Sequence, residues 1–135
     1  MAKQPTFRLE ALKYFLKGEA IAWAGDTMYL SLHHSAPFGT NAQTLYEISY
    51  PGYARQSISA SDWDVSGYTL VNNRKITFPN PSGGSSEEVW WVGLGTAQTG
   101  TGQLLYYTNV FEEVYLIAVN EPVIIPAGGL TVRET

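Results

Sequence analysis

The only two histidines of the chain, His33 and His34, are adjacent in sequence. They follow an apolar alternation that predicts a β-strand, and successive side chains of a strand point to opposite faces. Two ligands on opposite faces do not easily share one metal ion, and no local signature of a serine triad accompanies them. We therefore predict an exposed pair of histidines at the end of a strand.

Three pairs of carboxylates could also support chemistry. Asp62 and Asp64 flank Trp63, and oxygen ligands at that spacing can bind Ca²⁺ or Mg²⁺, but the complete calcium-loop pattern is absent. We expect a solvated turn with a half-buried Trp63. The pairs at 87–88 and 112–113 could act across a cleft as in glycoside hydrolases, but both lie at predicted strand starts, where adjacent acids usually protect a sheet edge.

The remaining catalytic signatures are missing or incomplete. The chain has no cysteine, which excludes disulfides, thiol catalysis and zinc–thiolate sites. Gly93-Leu94-Gly95 resembles the start of a dinucleotide-binding loop, but Gln98 occupies the place of the third glycine. We therefore expect no enzyme activity, no catalytic residue, no cofactor and no metal.

Composition narrows the class of protein. A chain of 135 residues with 44% hydrophobic and 15% charged residues fits a single folded domain over 1–135. The net charge of −4 gives no basic field for a nucleic acid. No apolar stretch approaches 18 residues, and no secretion signal is recognisable, so we expect no membrane partner.

The apolar periodicity predicts a mainly β fold with one short N-terminal helix. The helix is expected over 6–18, with Thr6 as its N-cap and Gly18 ending it, and its apolar stripe is expected to pack on the sheet of its own domain, with a neighbouring subunit as the alternative. Short alternating segments then predict an antiparallel β-sandwich or barrel. The strands are expected at 27–32, 53–58, 68–71, 75–78, 89–94, 103–108, 114–119, 123–125 and 130–133. The run 99–102 (TGTG) is expected to be the loop of a hairpin that links two of these strands. A segment over 35–52 has little periodicity and is predicted to be a long loop or arm ordered by a partner. Tyr46, Ile48 and Tyr50 alternate near its end, which suggests a short extra strand or an extended arm there.

Aromatic side chains supply the candidate interaction residues. Adjacent residues of a strand face opposite ways, so one member of each pair Trp90–Trp91 and Tyr106–Tyr107 is expected in the core and the other at an interface. Stacking on a sugar is the alternative. The sparse charge favours a homo-oligomer, with a trimer preferred. The interface candidates are Phe38, Tyr46, Ile48, Tyr50, Tyr53, Trp63, Trp90, Trp91 and Tyr107.

Five motifs in order resemble a widespread family of small tailed-bacteriophage and prophage structural proteins, commonly labelled phage tail fibre proteins. A short amphipathic helix at 8–18 precedes them. The motifs lie at 27–37 (TMYLSLHHSAP), 50–55 (YPGYAR), 76–79 (ITFP), 91–94 with 102–107 (WVGL and GQLLYY), and 125–132 (IPAGGLTV). Pro51, Gly129 and the two histidines depart from the family pattern.

The resemblance implies a structural role in a virion assembled in the host cytoplasm, together with other virion proteins such as the major capsid or tail proteins. A fibre shaft needs heptads, collagen-like repeats or solenoid periods, and this chain has none. We therefore expect a capsid decoration or cement protein that stabilises the particle. The alternatives are a tail or tail-fibre component, and a β module that binds a receptor or glycan.

Overall fold

The computed structural model describes residues 1–21, 27–39, 41–83, 87–109, 115–118 and 120–133. Within these residues the fold is mainly β, with antiparallel sheets and one α-helix near the N-terminus, as predicted. The helix α1 spans Pro5–Lys17. The strands are β1 Ala2–Lys3, β2 Thr27–His33, β3 Gln56–Ser59, β4 Trp63–Ser66, β5 Thr69–Asn72, β6 Ile76–Thr77, β7 Glu88–Val89, β8 Trp91–Gly95, β9 Leu104–Thr108, β10 Tyr115–Leu116, β11 Ile124–Ile125 and β12 Thr131–Arg133.

A five-stranded sheet in the order β1-β9-β8-β2-β3 organises the molecule. Its centre is the pairing of β2 with β8, in which Leu30 lies opposite Leu94 and Leu32 opposite Val92. The hairpin predicted around residues 99–102 joins β8 to β9. Smaller antiparallel sheets are formed by β12-β5-β4, by β11-β6 and by β10-β7.

One hydrophobic core lies against the inner face of the five-stranded sheet. Leu30, Leu32, Val92 and Leu94 supply that face, and all four are buried. Because strand side chains alternate, these residues point to the same side of the sheet. They share the core with side chains from the smaller sheets and their connections, namely Ile76, Phe78, Ile125 and Leu130. This is the packing expected of a two-layer β structure.

The helix begins earlier than expected and is not buried. Pro5 is its first residue and Gln4 precedes it in extended conformation, so Thr6 is not the cap. The prediction that Gly18 ends the helix is confirmed: its φ is +68°, and its N–H donates to the Tyr14 carbonyl. The apolar stripe was expected to lie on the sheet. Phe7 does pack against the core, but no residue of α1 is fully buried and the rest of the stripe is exposed.

The segment 35–52 lies on the sheet. Apart from one bridge between His33 and Glu47 it has no strand pairing among its described residues. Gln43 is nevertheless fully buried: its Oε1 accepts from the Ala97 N–H at 2.9 Å and its Nε2 donates to the Tyr29 carbonyl at 3.3 Å. This packing leaves no room for a mobile arm at Gln43.

One further difference concerns the residues around Trp63. A turn was expected at 62–64, and Asp62 does end a 3₁₀ turn over Ala60–Asp62, but β4 begins at Trp63 and pairs with β5 from Trp63↔Asn72 to Ser66↔Thr69. No helix in the described part of the chain is long and apolar enough to cross a membrane.

Candidate interaction surface

Three aromatic side chains form a row at one end of the five-stranded sheet. Trp91 is the first residue of β8 and lies opposite His33 of β2, and Tyr107 of β9 lies opposite Gly93 of β8. The ring centroids of Trp91 and Tyr107 are 6.0 Å apart, and those of Tyr107 and Phe38 are 6.2 Å apart. These separations suit tilted aromatic pairs. Phe38 is exposed and the other two are half-buried. We call Phe38, Tyr107 and Trp91 the aromatic row.

Gln4 connects the loop that carries Phe38 to the sheet. Its side chain is fully buried, and its Nε2 donates to the carbonyl of Pro37, the residue before Phe38. Its main-chain N–H donates to the Leu105 carbonyl at 2.8 Å. The position of Phe38 therefore depends on residues at the start of α1 and in β9.

The expectation that one member of each adjacent aromatic pair is buried in the core holds for Tyr106–Tyr107 and fails for Trp90–Trp91. Tyr106 is buried and packs edge-on against Phe7, with centroids 5.1 Å apart, whereas Tyr107 is half-buried. Neither Trp90 nor Trp91 belongs to the core: Trp90 precedes β8 and is exposed, and Trp91, the first residue of β8, is half-buried. The Trp90 indole N–H donates to a Glu88 carboxylate oxygen at 3.2 Å.

Two interface candidates are core residues. Ile48 and Tyr50 are 2% and 3% exposed, and both belong to the hydrophobic core. The Ile48 N–H donates to the Leu32 carbonyl at 2.9 Å, and the Tyr50 hydroxyl donates to the Pro79 carbonyl at 2.6 Å. The alternation that suggested an extra strand places them inward, so neither is available to a partner.

The other candidates from this part of the chain differ in exposure. Tyr53 and Trp63 are half-buried against the core. The Tyr53 ring stacks parallel to Phe78 with centroids 6.4 Å apart. Tyr46 is exposed and has a φ of +56°, and its ring lies 5.6 Å from that of His34. A non-glycine residue in this left-handed region is uncommon and needs support from its surroundings.

An ion pair that the sequence analysis did not predict joins several segments of the described chain. Arg55 binds Glu47 through two hydrogen bonds of 2.7 Å, from Nε to Oε1 and from an Nη to Oε2. The guanidinium also donates to the carbonyls of Ala97 at 2.9 Å and Gly100 at 2.7 Å. The Tyr53 hydroxyl donates to Glu47 Oε1 at 2.7 Å and accepts from the Leu32 N–H at 3.1 Å.

The groups of this network stabilise the fold and are not suited to catalysis. Hydrogen bonding to Glu47 raises the pKa of Arg55, and burial raises the pKa of Tyr53, so both keep their protons. A cleft of about 280 Å³ lies beside the pair, lined by residues that include Thr44, Gln98 and Thr99. The charged groups at its base are already bonded to one another, which leaves them unsuited to acid–base catalysis.

His33 is buried, and the prediction that both histidines are exposed is wrong for it. Its side chain is 0% exposed, because the chain after β2 folds back over this end of the strand. Nδ1 lies 2.7 Å from the Leu45 carbonyl and Nε2 lies 2.8 Å from Ser31 Oγ. The hydrogen-bond pattern assigns the proton to Nδ1 and leaves Nε2 as the acceptor. Burial lowers the pKa of His33 to about 4.

The carboxylate pairs are bonded to nearby groups instead of to each other. Asp62 forms an ion pair with Arg74 at 2.9 Å, which lowers the pKa of Asp62, and Asp64 accepts from the Asn73 amide. Glu87 accepts from the Ser49 N–H at 3.1 Å. Glu112 and Glu113 lie outside the described residues. Among the residues described, no three His, Asp or Glu side chains converge on a point where a metal could bind.

Comparison with known protein families identifies the class. A family model described as podophage GP4 fiber I protein gp80 matches residues 7–133. The chain belongs to this family. No curated protein matches the chain.

Membership of this family establishes the broad role of the chain and changes which specific role is preferred. The chain is a phage structural protein of the fibre type, which confirms the resemblance to tail fibre proteins and makes the chain a virion component. The preference for capsid decoration finds no support in the match, and the tail-fibre alternative fits it better. Phage fibre proteins of this kind are typically not enzymes.

The buried imidazole predicts a pH-dependent stability. The folded pKa of His33, about 4, lies below its ordinary value of 6.5, so the unfolded chain binds more protons between these two values. Stability is therefore present above pH 6.5 and is lost as the pH falls toward 4, by about 3 kcal/mol in total if His33 acts alone. Urea unfolding between pH 4.5 and 8 measures this loss.

Two variants test whether His33 causes the pH dependence of stability. His34→Gln should keep the pH dependence, because His34 is exposed. His33→Gln should lower stability at pH 8, since it disturbs two buried hydrogen bonds, and should flatten the profile. The same slope in His33→Gln as in the native chain would show that other groups carry it.

Proposed function

We propose that this chain is a structural subunit of a phage tail fibre, acting by binding neighbouring proteins and not by catalysis. The observation that carries the proposal is the family match over residues 7–133, which includes nearly the whole folded chain. Two buried polar groups support it, because the Arg55–Glu47 pair and the His33 ring are bonded within the fold.

The surface also supports a role in protein contacts. A free soluble domain rarely exposes many large apolar side chains close together. Here they occur on α1, where Phe15 is 78% exposed and Leu16 is 79% exposed, and at the aromatic row, where Phe38 is 59% exposed. Exposure of these apolar side chains to water is unfavourable in free energy, and a neighbouring subunit that covers them removes this exposure.

A compact β domain can serve in a fibre without fibrous repeats. The chain has none of the periodicities of a shaft, so its contribution to length must come from contacts between folded units. The antiparallel sheets supply a rigid body for such contacts. We infer that the domain is a building unit or connector and does not itself extend into a shaft.

Labelling of virions tests the location. A peptide tag inserted after Gly67, at the exposed tip of the β4–β5 hairpin, should leave the fold intact. Gold-labelled antibody against the tag should then mark the tail fibres in electron micrographs, with untagged virions as the control. Label distributed over the head would contradict the proposal and restore capsid decoration.

The aromatic row favours a second candidate, the binding of a host-surface sugar by ring stacking. Phe38→Ser with Tyr107→Ser should weaken binding of the purified protein to host cells at least about tenfold if the row stacks on pyranose rings. Tyr68→Ser is the matched control, since it removes an exposed ring elsewhere. Equal binding by both variants, with unchanged thermal transitions, would exclude this candidate.

A further inference from the structure

The helix α1 has one face on the sheet and an apolar face directed away from it. On the inner side Phe7 packs against Tyr106, and Gln103 donates to a Glu10 carboxylate oxygen at 2.8 Å. Leu9, Leu12 and Leu16 have the spacing i, i+3 and i+7, which places them on a different side of the helix. We call Leu9, Leu12, Phe15 and Leu16 the outer face.

The outer face is well exposed. Leu9 and Leu12 are 53% and 56% exposed, and Phe15 and Leu16 are 78% and 79% exposed. An isolated helix of 13 residues is marginal in water, and burial of an apolar face usually stabilises a helix of this length. Among the described residues, Phe7 and Glu10 on the inner face make that contact.

Charge indicates what covers the outer face. Lys17 lies 3.6 Å from Glu19 just beyond the helix, so the two belong to one segment. The first 19 residues contain four of the eight basic residues and two of the twelve acidic residues, which gives this segment a net charge of +2. The other 116 residues carry −6. Arg8, Lys13 and Lys17 are exposed on the same helix as the outer face. A basic apolar helix and an acidic body are therefore complementary surfaces of one chain.

We propose that the outer face of α1 docks on the acidic body of a second copy of this chain. A contact between two equivalent helices would bring Arg8, Lys13 and Lys17 of both copies together, and the repulsion of like charges opposes it. An anionic membrane would attract the helix but repel the body of net charge −6. The body of a second copy would cover the apolar outer face and attract the basic residues of the helix. This holds whatever the location of the protein in the virion.

Sedimentation of the purified chain tests the contact. The native chain should self-associate, and Leu12→Ser with Leu16→Ser should weaken the association at least about tenfold, because the centre of an interface carries most of its affinity. Val65→Ser with Tyr68→Ser removes two exposed apolar side chains outside the helix and should have a smaller effect. A native chain that stays monomeric at high concentration would overturn the proposal.

Mixed variants test which surface receives the helix. Immobilised Leu12→Ser/Leu16→Ser protein still presents the acidic body, so it should capture native chain but not a soluble copy of the same double variant. Failure to capture native chain, with native self-association intact, would indicate helix–helix contact and contradict the assignment. Circular dichroism should show unchanged folding, since both positions are exposed.

Charge reversal separates a protein partner from a lipid surface. Lys13→Glu with Lys17→Glu should weaken self-association, Lys75→Glu on the body should not, and higher salt should weaken it in the native chain. Vesicles with and without phosphatidylserine provide the lipid probe. Binding to anionic vesicles by a chain that does not self-associate would overturn the proposal.

Discussion

The bidentate pair of Arg55 and Glu47 is the interaction on which the arrangement of the surface depends. It joins the loop after β2 to the start of β3, and its bonds to Ala97 and Gly100 add the β8–β9 hairpin. A buried ion pair gains little net stability when each charge must leave water, but it is strongly destabilising to break. Its main contribution is therefore to fix how these three segments meet.

The packing around the pair shows that the loop and the hairpin fit one another closely. A side chain at Gly95 would overlap Gln43, and one at Gly102 would come within 2.5 Å of Gln43 Oε1. Both positions therefore require glycine so that Gln43 can lie against the hairpin. With the loop held in this way, Ile48 and Tyr50 reach the core and Phe38 stays outside beside Tyr107. The exposed rings are thus carried on a rigid base.

Local patterns predicted the elements better than the contacts between them. Alternation at 27–32 and the glycines at 100 and 102 were sufficient for β2 and the β8–β9 hairpin. The burial of His33 depends on Leu45, twelve residues away, and no periodicity reports such a contact. The helix was mispredicted for a different reason: all of its apolar residues were expected to face the sheet, whereas only Phe7 of them is seen to pack there and the leucines face solvent.

Removal of the Arg55 charge measures the central claim most directly. Arg55→Met leaves the Glu47 carboxylate in a site where it is largely buried, so we expect a loss of about 3–5 kcal/mol in the free energy of unfolding, with faster amide exchange at Gln43 and Ile48. Arg74→Met is the matched control, because its pair with Asp62 is more exposed and should cost about 1 kcal/mol or less. Equal losses in the two variants, with Gln43 and Ile48 still protected, would contradict the account.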